Sequence, residues 1–249
     1  MLNLSLLIIM TDLSMPAFKK TFAKVIAIDG PSGSGKSTIA KQLAQNLGVL
    51  YIDTGAMFRA LAYVANETNI ELTEGRSLES FLDSLDIDYG VSEKSLICIN
   101  GQNLSEKIRE HHVSKLASII SQLPSVRKYL LDFQRKLALD KICVMEGRDI
   151  GTVVFPDSFC KFFITASVEV RAERRLKQLR ENGDQAITLN QIAEDVRKRD
   201  ETDMNRSFAP LKKAEDAMML DTTELAMDDI IKILANEVKF RAAHLGFKL

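Results

Sequence analysis

A chain of 249 residues and 27.8 kDa has room for one full hydrophobic core with a smaller appendage, and 46% hydrophobic with 27% charged residues is the composition of a soluble globular fold. The 33 Lys and Arg against 34 Asp and Glu give a net charge of -1, which speaks against a general polyanion binder and leaves any anion chemistry to locally placed cations. Cys98, Cys143 and Cys160 lie far apart among apolar neighbours, with no CxxC and no clustered histidine, so we expect reduced thiols and neither a disulfide frame nor a zinc site.

The first ten residues, MLNLSLLIIM, are oily but lack the basic flank of a secretory signal, and they fall short of the ~18 apolar residues that cross a bilayer. Residues 1–21 are therefore read as a flexible leader, and folding is expected to begin near Phe22. Lys24 to Gly30 is a short apolar strand running into a glycine-rich turn. Ile39, Leu43 and Leu47 then repeat at helical spacing, residues 49–53 form a second strand, and Thr54 is a fair N-cap for the helix that follows.

Between about residues 69 and 104 the pattern changes. A short helix over residues 78–85 gives way to extended runs at 87–89, 96–99 and 102–104, and Asn100-Gly101 between two of them is a strong hairpin signal. Helical spacing resumes over residues 111–122, breaks at Pro124 and continues to Leu139. Third, fourth and fifth core strands are predicted at 142–146, 162–164 and 217–221. A charged helix spans 168–180. Another starts at Thr188, with Gln191 at the capping-box position, and a last helix covers 227–241. Alternating strands and helices predict an α/β fold: a five-stranded parallel sheet flanked by helices, with a small antiparallel insert at 69–104 and a short lid near 171–190.

Chemistry enters at Gly30-Pro31-Ser32-Gly33-Ser34-Gly35-Lys36-Ser37, which matches GxxxxGK[ST] and lies between a predicted strand and a predicted helix. Glycines let the backbone wrap phosphate oxygens, the helix N-terminus points its N–H groups at the anion, Lys36 reaches the outer phosphates and Ser37 Oγ can ligate magnesium. The loop with Thr38 is thus an ATP phosphate site of a P-loop NTPase-like fold. No NKxD base reader accompanies it, which argues against a guanine-specific switch, and transfer to a small acceptor becomes the leading chemistry.

Transfer between two anions needs cations on the acceptor side as well. Arg59 follows the second strand. Glu146-Gly147-Arg148-Asp149 follows the third, at the strand ends where α/β folds bind ligands. Arg171, Arg174 and Arg175 share a helical face and suit a mobile cover that brings arginine to the transferring group. Arg199, Asp203 and Arg206 stand at i, i+4 and i+7, on one face as far as their helix continues, where they could hold phosphate and a sugar hydroxyl together.

Four stretches, IDGPSGSGKST at 28–38, IDTGAMFRALA at 52–62, GRDIGTVVFPD at 147–157 and KRDETDMNRSFAPL at 198–211, closely resemble the bacterial cytidylate (CMP) kinases, from Val25 to about Lys239. That resemblance implies ATP-dependent phosphorylation of CMP or dCMP, with Mg2+ accompanying ATP, in a cytoplasmic monomer with neither nucleic-acid nor membrane partners. It implies that Lys36 and the loop from Gly30 to Thr38 hold the ATP phosphates, that Arg59, Arg148 and Arg206 grip the acceptor phosphate, and that Ser118, Arg127 and Asp149 read cytosine. Arg199 and Asp203 would meet the ribose, Ser37 the metal, and Arg171, Arg174 and Arg175 the transferring phosphoryl from the lid. The 69–104 insert would belong to the monophosphate-binding region. Two positions depart from the usual pattern. Glu146 stands where aspartate is frequent, and Thr54 where serine is, leaving a polar phosphate or ribose contact open to Thr54. A kinase of another monophosphate or small metabolite, and a nucleotide-binding regulator without transfer activity, are the rival readings.

Overall fold

The computed structural model describes residues 22–249 apart from 93–94 and 182–186. The predicted leader and the middle of the predicted lid lie outside the described residues.

Five strands, β1 (Ala23–Asp29), β2 (Leu50–Asp53), β6 (Cys143–Gly147), β7 (Ser158–Thr165) and β8 (Met218–Asp221), form one parallel sheet in the order β2-β6-β1-β7-β8. β1 lies in the middle and is buried on both sides, so it reads as a continuous apolar run. Its alternate residues nonetheless divide between two cores. Val25 and Ala27 face a cluster that includes Met57 and Leu61 of α2 (Thr54–Glu67), Val113 of α4 (His111–Ile120) and Leu130 of α5 (Pro124–Leu137). Ile26 and Ile28 face Ile39 and Leu43 of α1 (Lys36–Leu47) and Leu234 and Val238 of α8 (Met227–Leu245). Each fully buried Leu or Ile of this kind contributes about 1.5–3 kcal/mol relative to exposure. The result is a helix layer on each face of the sheet.

The insert carries α3 (Arg76–Asp83) and a separate antiparallel sheet of β3 (Ile87–Ser92), β4 (Ser95–Ile99) and β5 (Gln102–Asn103). Asn100 and Gly101 take φ of 49° and 77°, the two left-handed positions of a type I′ turn, as the Asn-Gly pair predicts. Leu78, Ile97, Ile99 and Leu104 fasten this unit to the α2 side of the core. α6 (Val168–Glu181) and α7 (Leu189–Asn205) make their own small cluster through Ala172, Leu179, Ile192 and Val196, and Thr188 with Gln191 closes the predicted capping box. The three cysteines are buried and free. Among the described residues no helix is long and apolar enough to cross a membrane.

One local expectation fails. The N-cap of α2 is Asp53, whose Oδ1 accepts from Ala56 N at 2.8 Å, and Thr54 is already inside the helix. A carboxylate can remain at the strand end, satisfy the first helical turn and still reach an arginine, so the cap falls one residue earlier than the hydroxyl suggests.

Candidate active site

The loop after β1 turns through Gly30, Gly33 and Gly35 at φ of 151°, 76° and 86°. Gly30 has no freedom to change: a Cβ there would sit 2.0 Å from the carbonyl oxygen of Ile164 on β7. The loop therefore lies directly on the neighbouring strand. Within it the Lys36 ammonium is buried and donates to Pro31 O at 2.7 Å, holding the curve from inside. Burial, with Arg148 next in effect, brings Lys36 down to about 7; Arg199 adds to the repulsion and Glu146 opposes it. Ser37 and Thr38 at the start of α1 are exposed. The Ser37 side chain favours the ionised form of Glu146, against the upward effect of burial.

Asp29, the last residue of β1, ties this loop to the one after β6. Its two carboxylate oxygens accept from Ile150 N and Gly151 N, each at 2.8 Å, at the start of a π-helical turn spanning Ile150–Val154. Burial raises its pKa to about 6 in spite of those two bonds. Arg148 and Asp149 are thus held immediately beside the phosphate loop by a residue that the strand pattern alone treats as the end of an apolar run.

Beyond them the charged residues of α5, α7 and the β6 end interlock. Arg127 donates to Asp149 Oδ2 at 2.5 Å and to Ser121 O at 3.1 Å, and its guanidinium carbon lies 5.4 Å from the centre of the Phe58 ring. Arg148 Nε donates to Asp203 Oδ2 at 2.8 Å. Arg206 stands between the two carboxylates, 3.6 Å from Asp149 Oδ1 and 3.7 Å from Asp203 Oδ1. Burial opposes ionisation of Asp203, yet Arg148 and Arg199 outweigh it and hold that carboxylate below its usual range. Arg199 and Arg206 are each brought down to about 10, by burial and by Arg148 and Arg127 respectively. Cations therefore outnumber the anions that face them. Arg127 Nε and Arg199 Nε are buried with no hydrogen-bond partner among the described residues, and Arg206 Nη2 has its ion pair with Asp149 but no hydrogen bond. Buried donors are normally paired, so the two Nε groups point to an anionic or carbonyl-rich ligand.

The structure separates some predicted groups. Asp203 finds its short ion pair with Arg148 from another element rather than with Arg199 one turn earlier in α7. Arg206 lies just past the end of α7, in extended backbone, so its side chain reaches Asp149 from the C-cap and not along a continuing helical face. Arg171, Arg174 and Arg175 do not point alike. Arg171 donates to Ser32 O and pairs with Asp200, and Arg174 reaches Ser34 O and the backbone and hydroxyl of Thr222, so both brace the phosphate loop from outside. Arg175 instead donates to Gln178 Oε1 at 2.8 Å on its own helix, and burial lowers its pKa, with Arg59 lowering it further. Thr54, open to a phosphate or ribose contact on the sequence reading, is buried and donates to Glu146 O at 2.7 Å; it joins β2 to β6. Ser118 is half-buried one helical turn before Ser121, whose carbonyl Arg127 holds.

Sequence reasoning missed Asp29, Tyr51, Asp53 and Tyr89. Tyr51 donates to Glu146 Oε1 at 2.6 Å, and Asp53 holds Arg59 at 3.0 Å. Burial raises Glu146, with Asp53 beside it adding to the effect. Asp53 had a legible signal, an acid at a strand end directly before a helix; the two phenols, one in an apolar strand and one in a short polar strand of the insert, had none.

The cytidylate kinase family model matches residues 26–240. A cytidylate kinase of Halalkalibacterium halodurans is 46% identical over 217 residues, covering 87% of this chain and 97% of its own length, and one of Alkaliphilus oremlandii is 42% identical over 214 residues, covering 86% and 97%. Among solved structures, shikimate kinase from Acinetobacter baumannii in complex with shikimate covers 92% of this chain and 97% of its own at 15% identity and a TM-score of 0.39. With a phosphate loop, an adjoining arginine cluster and a family match that spans most of its length, this chain belongs to the cytidylate kinase family.

Proposed function

We propose that the protein transfers the terminal phosphoryl group of ATP to the phosphate of CMP or dCMP. The observation that carries this reading is the cluster of Arg127, Arg148, Arg199 and Arg206 gathered around only two carboxylates, Asp149 and Asp203, next to the phosphate loop, with the buried Nε of Arg127 and of Arg199 lacking a hydrogen-bond partner among the described residues. An acceptor oxygen attacks the γ-phosphorus in line, the bond to the β–γ bridging oxygen breaks, and ADP leaves with that electron pair. A nucleoside monophosphate is largely dianionic at pH 7, so no side-chain base is required. Positioning and charge neutralisation supply the catalysis.

The backbone from Gly30 to Thr38 and Lys36 hold the donor phosphates. Arg59, Arg148 and Arg206 take the acceptor phosphate, Arg199 and Asp203 the ribose, and Ser118, Arg127 and Asp149 the cytosine. Arg175 approaches the transferring group, while Arg171 and Arg174 act by holding the loop. Repulsion among Lys36, Arg148 and Arg199 supports this division, because a phosphate placed between them would relieve it. Hard oxygen donors at Ser37 and Glu146 suit Mg2+, which prefers one or two protein oxygens with phosphates and retained water. When bound with ATP, Mg2+ would supply neutralisation of the phosphate charge; Ser37 would ligate it and Glu146 would orient its water. Residues 69–104 serve the monophosphate side and about 171–190 form the lid, in a cytoplasmic monomer.

The test is a coupled assay of ADP formation with CMP, dCMP, UMP, AMP and shikimate as acceptors. CMP and dCMP should be preferred. Acceptor-independent ATP hydrolysis alone, or a stronger response to AMP or shikimate, overturns the assignment.

A further inference from the structure

Among the described residues, a side chain of the insert reaches the end of β2 beside Arg59. Tyr89 lies on β3, outside the parallel sheet, and its hydroxyl oxygen accepts the backbone N–H of Asp53 at 2.6 Å. β2 is the edge strand of its sheet, and that N–H is met by the insert's phenol. Asp53 in turn divides its carboxylate, Oδ1 capping α2 at Ala56 N and Oδ2 holding Arg59. The Arg59 guanidinium folds back over the first turn of α2, and a Cβ at Gly55 would come within 3.0 Å of it and 3.2 Å of Asp53 Oδ1. Arg59 keeps about a quarter of its side chain exposed, at 26%, so it is oriented by Asp53 and still open to a ligand.

We propose that Tyr89 is a positioning residue for the acceptor phosphate: its phenol fixes Asp53, Asp53 fixes Arg59, and the insert thereby sets the grip on the monophosphate. This rests on the reading of Arg59 as an acceptor-phosphate ligand. The hydrogen bond the structure gives the Tyr89 hydroxyl is to Asp53, so its effect on the acceptor is exerted through that residue. Its ring packs against the core cluster that holds α2, so replacement by phenylalanine keeps the packing and removes only the oxygen. The backbone N–H of Asp53 then loses its acceptor, and the start of α2 is free to shift with Arg59.

The experiment compares Tyr89→Phe, Arg59→Ala, the double variant and Tyr129→Phe in the full chain. Tyr129 serves as the control because its hydroxyl reaches Leu85 O, at the base of the insert, without touching Asp53. In Tyr89→Phe the KM for CMP should rise about five- to thirtyfold, and the Kd for CMP by calorimetry likewise, with the KM for ATP within twofold. Tyr129→Phe should leave both KM values within twofold, whatever its melting temperature. Arg59→Ala should raise the KM for CMP further, and adding Tyr89→Phe to it should change that value by less than twofold. A Tyr89→Phe protein with lowered stability but unchanged CMP affinity overturns the proposal, as does full additivity in the double variant. If Arg59→Ala itself leaves CMP affinity unchanged, the reading of Arg59 fails, a result distinct from failure at Tyr89 alone.

Discussion

Base choice should reside in Arg127 and Asp149, and the structure sets both the cost of testing this and the way to read the result. The two side chains are 6% and 7% exposed, and Arg127→Ala leaves Asp149 buried with the longer ion pair to Arg206, at 3.6 Å, for compensation among the described residues. Breaking such a buried pair costs about 3–5 kcal/mol of stability. At roughly 2–4 °C per kcal/mol for a chain of this size, the melting temperature should fall by about 6–20 °C. Raw activity would therefore mix unfolding with recognition, whereas the CMP:UMP ratio of kcat/KM, measured well below the transition, cancels the fraction folded. Cytosine offers an amine and an N3 acceptor where uracil offers a carbonyl and an N–H. Loss of the unpartnered Arg127 Nε and of the fixed Asp149 should thus cost CMP about 2–4 kcal/mol, roughly thirty- to several-hundredfold, with little change in KM for ATP. Arg127→Lys keeps the charge but not the planar fork and should fall between. Ser118→Ala, losing one neutral hydrogen bond, should lower the ratio about five- to thirtyfold. A ratio that stays constant in Arg127→Ala, Arg127→Lys and Asp149→Asn would show that these residues do not read the base.

Lys36→Ala should reduce transfer at least about a hundredfold at saturating ATP and magnesium in a protein that still folds; retained activity within threefold would contradict its role. Asp203→Ala should harm CMP more than dCMP if the carboxylate meets the 2′-hydroxyl, and equal losses in kcat/KM would reduce it to the partner of Arg148. Asp29 supplies a pH test: its pKa is raised from 3.8 to about 6, so between those values the native state binds the extra proton and this group's contribution to stability increases on acidification. Relative to Asp29→Asn, the parent should gain about 2 kcal/mol in denaturant-derived stability from pH 7 to pH 4.5, and a difference that stays flat or falls would refute the burial argument. Gly30→Ala should fail to accumulate as folded protein, because its Cβ has no space beside Ile164 O; a soluble variant with an unchanged melting temperature would show that the loop can leave β7.

Much of this protein is fixed by local chemistry that a linear pattern records. The apolar run of β1, the glycine spacing around Lys36, the Asn100-Gly101 turn and the Thr188–Gln191 capping box each act within a few residues, and each formed where its pattern placed it. Resemblance to a family supplied roles for Ser118 and Arg127 that their spacing could not. What required the fold was the choice of partner among similar charges. Asp203 has Arg199 four residues away, yet Arg148 from the end of β6 takes its short bond, because the parallel sheet brings that strand end against α7. The arginines of α6 share a helical face but meet different surroundings, so two brace the phosphate loop and one bonds to Gln178 of its own helix. Periodicity determines which residues are buried, since burial depends on which face of its own element a side chain occupies. Pairing depends on which strand ends converge, and only the order β2-β6-β1-β7-β8, with the insert packed against α2, brought Tyr89 to Asp53 and Asp29 to the turn after Asp149.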